Sequence, residues 1–317
     1  MSHRSHWEVD EPCTIDHVIS LSGNQQIHVW ETPPILKFNQ MPTRRNSILI
    51  ASGFARRMDH FAGLARYLSA NGFHVYRYDS LHHVGLSSGT IDQYTMSIGK
   101  QSLEIVMAWL NNRGVTDVGV IAASLSARIA YATVNELDLS FLISAVGVVN
   151  LRDTLEKAFG FDYLSLPIQD LPNDLDFEGH KLGAEVFVRD CFANNWDSFS
   201  STVEQMRHLS IPFIAFTANG DDWVKQDEVI ELLSQLPAGQ SKLYSLLGSS
   251  HDLGENLVVL RNFYQSVTKA ALALDSNSFD IDIPFVEPTF EQLTITTVNE
   301  RRMKNQIETE TETAMQA

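Results

Sequence analysis

The sequence predicts an α/β protein with one mostly parallel sheet covered by helices on both faces. Short, near-continuous apolar runs alternate with helical patterns, as is typical of strands that helices cover on both faces. The chain has 317 residues, 44% of them hydrophobic, which is enough for a large core and excludes global disorder. Two strand-like runs at 14–21 and 26–31, joined by Ser-Gly-Asn, predict an opening hairpin that adds antiparallel strands at one edge.

After the hairpin, the elements follow in strict alternation until residue 150. The runs predicted as strands are 47–51, 74–78, 118–122 and 141–149, then 211–217 and 242–247. Segments in which apolar residues recur at three- and four-residue steps predict helices. These segments are 58–68, 97–110 and 125–135, then 226–236 and 256–274.

Residues 151–205 interrupt the alternation with several aromatic residues and turns but no clear strand. An insertion of this size between two sheet strands is expected to form a cap over the strand ends. We expect one domain over 13–305 that includes this cap. Residues 1–12 are expected to be a disordered extension, and the polar, repetitive residues 306–317 a flexible tail.

The composition excludes several classes of function. Lys and Arg total 23 against 39 Asp and Glu, a net charge of −16, which opposes binding to nucleic acid or to anionic membranes. No apolar run is long enough to span a bilayer, and the N-terminus lacks the pattern of a signal peptide. Cys13 and Cys191 form no CxxC pair, so we expect reduced thiols and a cytoplasmic protein.

A serine lies where a predicted strand runs directly into a predicted helix, in the sequence Ala-Ala-Ser-Leu-Ser at 122–126. A serine on such a strained turn exposes its hydroxyl when the residues two before and two after are small. The usual pattern is G-x-S-x-G, and Ala122 and Ser126 replace both glycines. On this segment alone, a serine that only caps the helix is an equal alternative to a nucleophile. Ser124 is favoured over Ser126, whose side chain in the first helical turn would point away from the strand edge.

An acid and a histidine follow the last two predicted strands, in the order that a serine nucleophile on this architecture requires. The histidine must take the serine proton, and a carboxylate must hold the histidine. Asp221 and Asp222 follow one strand and His251 follows the next. We prefer Asp221 because its D-x-x-V spacing recurs in such loops, with Asp222 as a solvated neighbour or helix cap. The sequence thus predicts a catalytic triad of Ser124, Asp221 and His251.

Two backbone N–H groups are predicted to stabilise the oxyanion of an acyl-transfer reaction. One belongs to Leu125, directly after the serine, and the other to Phe54, in the loop after the strand at 47–51. An ordinary strand-to-helix turn is the alternative for that loop.

The loop at 79–89 has the spacing D-x-x-x-x-x-G-x-S-x-G and is predicted to have a structural role. Its neighbouring histidines, His82 and His83, are not expected to bind a metal, because adjacent residues rarely ligate one ion and no acidic cluster stands nearby. We expect neither a metal nor a cofactor.

With these residues placed, residues 13–305 resemble an α/β hydrolase, and more closely the acyl transferases, or myristoyl-acyl-carrier-protein thioesterases, of luminous bacteria. The resemblance is carried by five segments: 50–60 (IASGFARRMDH), 78–89, 122–127 (AASLSA), 150–154 (NLRDT) and 247–254 (LGSSHDLG). The serine turn without either glycine is itself a trait of that family.

The resemblance implies an enzyme that releases a fourteen-carbon fatty acid from acyl-carrier protein or coenzyme A. A synthetase and a reductase then convert the acid to the aldehyde used in bacterial luminescence, and both are possible partners of the chain. The family's catalytic residues correspond to Ser124, Asp221 and His251. A short-chain carboxylesterase of the same fold and a non-catalytic binding module are the alternatives, and the complete triad argues against the module.

Two groups of residues are expected to bind the substrate. Phe159, Phe161 and Phe187 of the cap are expected to line an apolar tunnel for the acyl chain. Arg56 and Arg57 lie just past the oxyanion loop in an otherwise acidic protein. We expect them to bind the phosphate of a pantetheine arm or the acidic face of the carrier, and a solvated helix start is the alternative.

Overall fold

The computed structural model describes residues 14–35 and 45–288, which form an α/β fold around one large sheet. The strands in this part of the chain are β1 (Ile15–Ser20), β2 (Gln26–Thr32), β3 (Ser47–Ala51), β4 (His74–Tyr78), β5 (Val118–Ala123), β6 (Phe141–Ala145), β7 (Asp174–Phe177), β8 (His180–Gly183), β9 (Phe213–Ala218) and β10 (Ser241–Leu246). The large sheet has the order β1-β2-β4-β3-β5-β6-β9-β10, and β7 pairs only with β8. β1 and β2 join antiparallel, as do β2 and β4, and the other pairs of the large sheet are parallel.

Helices cover both faces of the sheet, which confirms the predicted architecture. They are α1 (Ala62–Ala70), α2 (Met96–Asn112), α3 (Leu125–Thr133), α4 (Leu151–Phe159), α5 (Ala184–Ala193), α6 (Phe199–Met206), α7 (Gln226–Ser234) and α8 (Leu257–Asp275). The buried side chains of α2, α3 and α7 belong to one apolar layer, and those of α1 and α8 to the layer on the opposite face. Within the two described ranges, no helix has the length and apolar character needed to cross a membrane.

The end of β5 sets the position of the serine turn. Along β5, a Cβ on Gly119 would lie 2.2 Å from the Phe141 ring, so a glycine lets β6 pack closely beside it. Beyond β5, the N–H of Ser124 donates to Ala145 O (3.0 Å) and the N–H of Val148 donates to Ser124 O (3.1 Å). The backbone of Ser124 is therefore held by the end of β6 and by the loop that follows it.

A charged cluster lies on the antiparallel edge. Glu31 on β2 accepts a hydrogen bond at each carboxylate oxygen, from His17 Nε2 and His74 Nε2, both at 2.5 Å. Burial raises the pKa of the Glu31 carboxyl, but the hydrogen bonds and charges of the two histidines outweigh it and leave the pKa below its usual value. The cluster joins β1, β2 and β4.

Residues 151–205 lie between β6 and β9 and hold α4, the β7–β8 hairpin, α5 and α6. The expectation that this segment contains no strand was wrong. Each strand of the hairpin has only four residues, and Leu175 and Leu182 form its one buried cross-strand pair. An alternation of apolar and polar residues this short does not distinguish a strand from a loop in the sequence. Arg128 of α3 ties the segment to the sheet layers by donating to the carbonyl oxygens of Trp196 and Asn195.

The predicted N-terminal extension at 1–12, the tail at 306–317 and the domain end at 305 lie outside the described residues.

Candidate active site

The predicted nucleophile occupies a strained turn between β5 and α3. Ser124 has φ 52° and ψ −120°, a left-handed backbone that persists only where its surroundings enforce it. Its hydroxyl makes no hydrogen bond to the helix it precedes, which rules out the helix-cap alternative. Instead, Ser124 Oγ lies 2.8 Å from His251 Nε2. Ser126 Oγ donates to Ser52 O, so the second serine ties α3 to the loop after β3.

The acid and the histidine approach from the loops after β9 and β10. Asp221 Oδ2 lies 2.8 Å from His251 Nδ1. The other oxygen of Asp221 accepts the N–H groups of Trp223 and Val224, each at 2.9 Å. The Asp221 side chain is 2% exposed, whereas Asp222 is exposed. The structure therefore brings Asp221, and not its neighbour, to the histidine.

This arrangement determines how the imidazole can act. A carboxylate accepts only, so His251 donates Nδ1–H to Asp221, and its neutral form then presents an unprotonated Nε2 to Ser124. Nε2 can take the hydroxyl proton, and the buried carboxylate stabilises the imidazolium that results. The ring of Trp223 lies against the imidazole, with the two centroids 4.7 Å apart, and limits its movement.

The predicted oxyanion donors lie on either side of the serine. In the described part of the chain, neither the N–H of Leu125 nor that of Phe54 has an acceptor. Leu125 opens α3, whose N-terminal end favours negative charge. Gly53 brings the second loop close, because a Cβ there would lie 3.1 Å from Ala123 O and 3.3 Å from Ser124 Cβ. Both donors are thus available to a negatively charged oxygen near the serine.

His83 supports the oxyanion loop, a role that sequence reasoning missed. Its Nε2 accepts the N–H of Ala55 at 3.1 Å, and Ala55 has a left-handed backbone with φ 58°. Burial lowers the pKa of His83 to about 3, with a smaller contribution from the charge of His180. The imidazole is therefore neutral and keeps an acceptor for Ala55. Its ring also packs at 5.3 Å from that of Phe54.

A small apolar cavity opens on Ser124. Its lining residues are Phe54, Ser124, Leu125, Val148, Thr154, Leu155, Ala158, Phe159, Phe177, Leu182, Phe187 and Trp223. Phe159 and Phe187 lie where the sequence placed them. Phe161 lies outside the cavity, 47% exposed with its ring against Tyr163, because the chain turns at left-handed Gly160 just before it.

The two predicted arginines contact carboxylates of this chain. Arg56 Nη1 lies 3.2 Å from Glu178 Oε2, and Arg57 Nε lies 3.3 Å from Asp59 Oδ1. A phosphate would have to compete with these carboxylates, so the predicted phosphate-binding role of the arginines remains a prediction. Among the described residues, no three His, Cys, Asp or Glu side chains are arranged to hold a metal ion.

Comparison with known sequences identifies the family. The acyl transferase family matches the chain over residues 13–309. An acyl transferase of Vibrio harveyi is 68% identical over 298 residues, which cover 94% of this chain and 97% of that relative. An acyl transferase of Photorhabdus luminescens is 70% identical over 295 residues, which cover 93% of this chain and 95% of that relative.

Solved structures show the same fold at low identity. Est1E from Butyrivibrio proteoclasticus, with ferulic acid bound, aligns with a TM-score of 0.64 at 17% identity over 80% of this chain and 96% of that one. An α/β serine hydrolase homologue from Coxiella burnetii aligns with a TM-score of 0.52 at 17% identity over 80% of this chain and 96% of that one. The α/β-hydrolase fold predicted from the sequence is thereby confirmed. The chain belongs to the acyl transferase family and is an enzyme of acyl transfer or hydrolysis built on that fold.

Proposed function

We propose that this chain is a serine thioesterase or acyltransferase that releases a long-chain, fourteen-carbon fatty acid from acyl-carrier protein or coenzyme A. The acid supplies the reductase system that makes aldehyde for bacterial luminescence. One observation carries the proposal: the hydrogen-bonded series Ser124, His251 and Asp221, with contacts of 2.8 Å each, opens into an apolar cavity. The acid product follows from hydrolysis, and the length of the chain is expected from the family resemblance.

The first half of the reaction makes an acyl-enzyme. His251 Nε2 takes the proton of Ser124 Oγ as that oxygen attacks the thioester carbonyl carbon. The carbonyl oxygen becomes negatively charged and accepts the N–H groups of Leu125 and Phe54. The carbon–sulfur bond then breaks, and the proton on His251 leaves with the thiol. Asp221 keeps the imidazole in its orientation throughout.

The second half of the reaction regenerates the free serine hydroxyl from the acyl-enzyme. A water molecule gives its proton to His251 and attacks the acyl-serine ester, which releases the fatty acid and restores the hydroxyl. An alcohol or thiol that replaces the water accepts the acyl group instead, and the same residues serve both outcomes. The nature of the acceptor therefore separates a thioesterase from a transferase.

Chain length is discriminated by the apolar cavity. Each methylene buried from water contributes about 0.8 kcal/mol, so the six methylenes between eight and fourteen carbons contribute about 5 kcal/mol if all are buried. Phe159, Phe187 and Leu182 lie in the lining and offer apolar contacts of this kind. A preference for long chains is the expected result.

The proposal includes the partners and the location of the enzyme. The acyl donor is acyl-carrier protein or acyl-coenzyme A, and the acyl-protein synthetase and reductase of the fatty-acid reductase system receive the product. Cys191, the cysteine in the described part of the chain, is buried and forms no disulfide. A reduced thiol suits the cytoplasm, where we place the reaction.

The first experiment is hydrolysis of saturated acyl thioesters from eight to eighteen carbons, with the acyl-enzyme followed by intact mass. We expect a maximum near fourteen carbons and an adduct of that mass, both absent in Ser124→Ala. The matched control, Ser126→Ala, removes the other serine of the turn and keeps the adduct. A preference for short chains would support a carboxylesterase instead, and full activity in Ser124→Ala would refute the mechanism.

A further inference from the structure

A buried ion pair joins the oxyanion loop to the segment between β6 and β9. Arg56 follows Phe54 by two residues, and its Nη1 lies 3.2 Å from Glu178 Oε2 at the tip of the β7–β8 hairpin. The Glu178 side chain is 3% exposed and that of Arg56 22%. A carboxylate buried to this extent is stable only beside a partner that compensates for its lost hydration. The pair therefore depends on the hairpin lying against the loop.

The turn of the hairpin does not itself favour a glutamate. Glu178 has φ 53° and Gly179 has φ 84°, between the paired residues Phe177 and His180. A two-residue turn with two positive φ values favours Asn-Gly, because asparagine adopts that backbone more readily than glutamate. The ion pair with Arg56 gives a reason for a glutamate at this position that the turn does not supply.

Phe177, the residue before Glu178, lines the cavity that opens on Ser124. The ring of Phe177 lies 5.6 Å from that of Phe54, 5.9 Å from that of Phe159 and 5.4 Å from that of Trp223. Trp223 in turn lies against His251. Through Phe177, the hairpin thus contacts both the oxyanion loop and the loop that carries Asp221, at the wall of the cavity.

We propose that Arg56 and Glu178 form a latch that holds Phe177 over the acyl cavity and so determines the preference for long acyl chains. Both are positioning residues, and the inference rests on the proposed function. A long chain attached to Ser124 needs the wall that Phe177 and Phe159 provide against water. An acetyl group places a single methyl beyond its carbonyl carbon and needs little of this wall.

The test uses variants of the full chain that break the latch without disfavouring the hairpin. Glu178→Asn removes the carboxylate and gives the turn its favoured Asn-Gly sequence, and Arg56→Gln removes the cation. The double variant removes both. The matched control, Asp162→Asn, breaks an ion pair with Arg152 in the same segment, in which Nη1 and Oδ2 are 3.3 Å apart.

Activity is measured with acetyl and myristoyl thioesters of N-acetylcysteamine, which carry no phosphate. We expect each single variant to lower kcat/KM for the myristoyl thioester about tenfold, in the range of coupled contacts, and to leave the acetyl thioester within about twofold. The double variant is expected to lose no more than either single variant. Equal losses for the two chain lengths would overturn the proposal. So would losses confined to coenzyme A thioesters, which would assign the arginine to phosphate binding.

A second measurement does not depend on activity. Amide hydrogen exchange of residues 174–183 is expected to be about tenfold faster in Glu178→Asn and Arg56→Gln than in the wild type or the control, because the hairpin opens more often. Unchanged exchange would refute the latch. If the wild type failed to hydrolyse thioesters, the proposed function would fail, and exchange would still decide whether the pair holds the hairpin.

Discussion

Replacing Asp221 with asparagine tests the mechanism at the residue with the most defined contacts. The asparagine oxygen can keep the N–H groups of Trp223 and Val224, now at 2.9 Å, so the loop should retain its fold. Its amide group then faces His251 Nδ1, where the carboxylate oxygen lies at 2.8 Å. Two donors cannot share that contact, so the imidazole moves its proton to Nε2 and points it at Ser124. The histidine can no longer accept the serine proton.

The expected loss in kcat is about ten-thousandfold, as the same replacement causes in serine proteases, or about 5 kcal/mol at 1.36 kcal/mol for each tenfold. With 2% of the Asp221 side chain exposed, water cannot replace the carboxylate. Steady-state hydrolysis of a myristoyl thioester measures the loss, and a thermal melt checks the fold. Asp222→Asn, at the exposed neighbour, should remain within about twofold of the wild type. A loss below tenfold in Asp221→Asn, or a larger loss in Asp222→Asn, would refute the assignment of the acid.

Two further predictions concern stability, and both are measured by urea unfolding. Gly85→Ala should lower the free energy of unfolding by more than about 2 kcal/mol, because φ is 124° and the new Cβ would lie 2.0 Å from Asp79 Oδ2. Gly23→Ala is the control, since Gly23 has a positive φ and no atom within 4 Å of the new Cβ, and it should lower the free energy of unfolding by less. Equal decreases in the two variants would contradict the clash. Glu31→Gln should cost about 1–3 kcal/mol at neutral pH. Burial raises the Glu31 pKa, but its two histidine partners bring it below 4.5. The unfolded state therefore binds the proton more readily than the folded state does. The stabilisation that the Glu31 carboxylate gives the folded protein is then lost as the pH falls below 4.5. A difference between wild type and Glu31→Gln that stays constant from pH 7 to pH 3 would contradict this.

The positions of the predicted triad could be read from the sequence because each signal is local. Ser124 and Asp221 each follow a buried, mostly apolar parallel strand, and His251 follows the partly exposed edge strand β10. Parallel strands end at one edge of the sheet, so the order of strand ends along the chain is enough to bring the three loops together. The choice of Asp221 over Asp222 also rested on a local spacing.

The surroundings of that site depend on contacts that no local pattern encodes. His83 acts through the N–H of Ala55, 28 residues away, and Arg56 meets Glu178 across 122 residues. Phe161 and Phe177 are both phenylalanines in the same inserted segment, and only the turn at Gly160 and the pairing of the hairpin decide which one faces the cavity. The sequence shows that such a segment is rich in aromatic residues, but it does not show which of their rings face the cavity.

The division of the cavity lining has a consequence for how this enzyme can change over evolution. Seven of its twelve residues come from the single stretch 151–205, whereas the serine, acid and histidine come from the loops after β5, β9 and β10. We therefore expect different segments of the chain to determine substrate range and bond-breaking chemistry. Mutations or exchanged segments within 151–205 are expected to alter which acyl groups are accepted while the hydrogen bonds among Ser124, His251 and Asp221 stay intact. For the same reason, a new substrate preference is best sought by randomising that stretch alone.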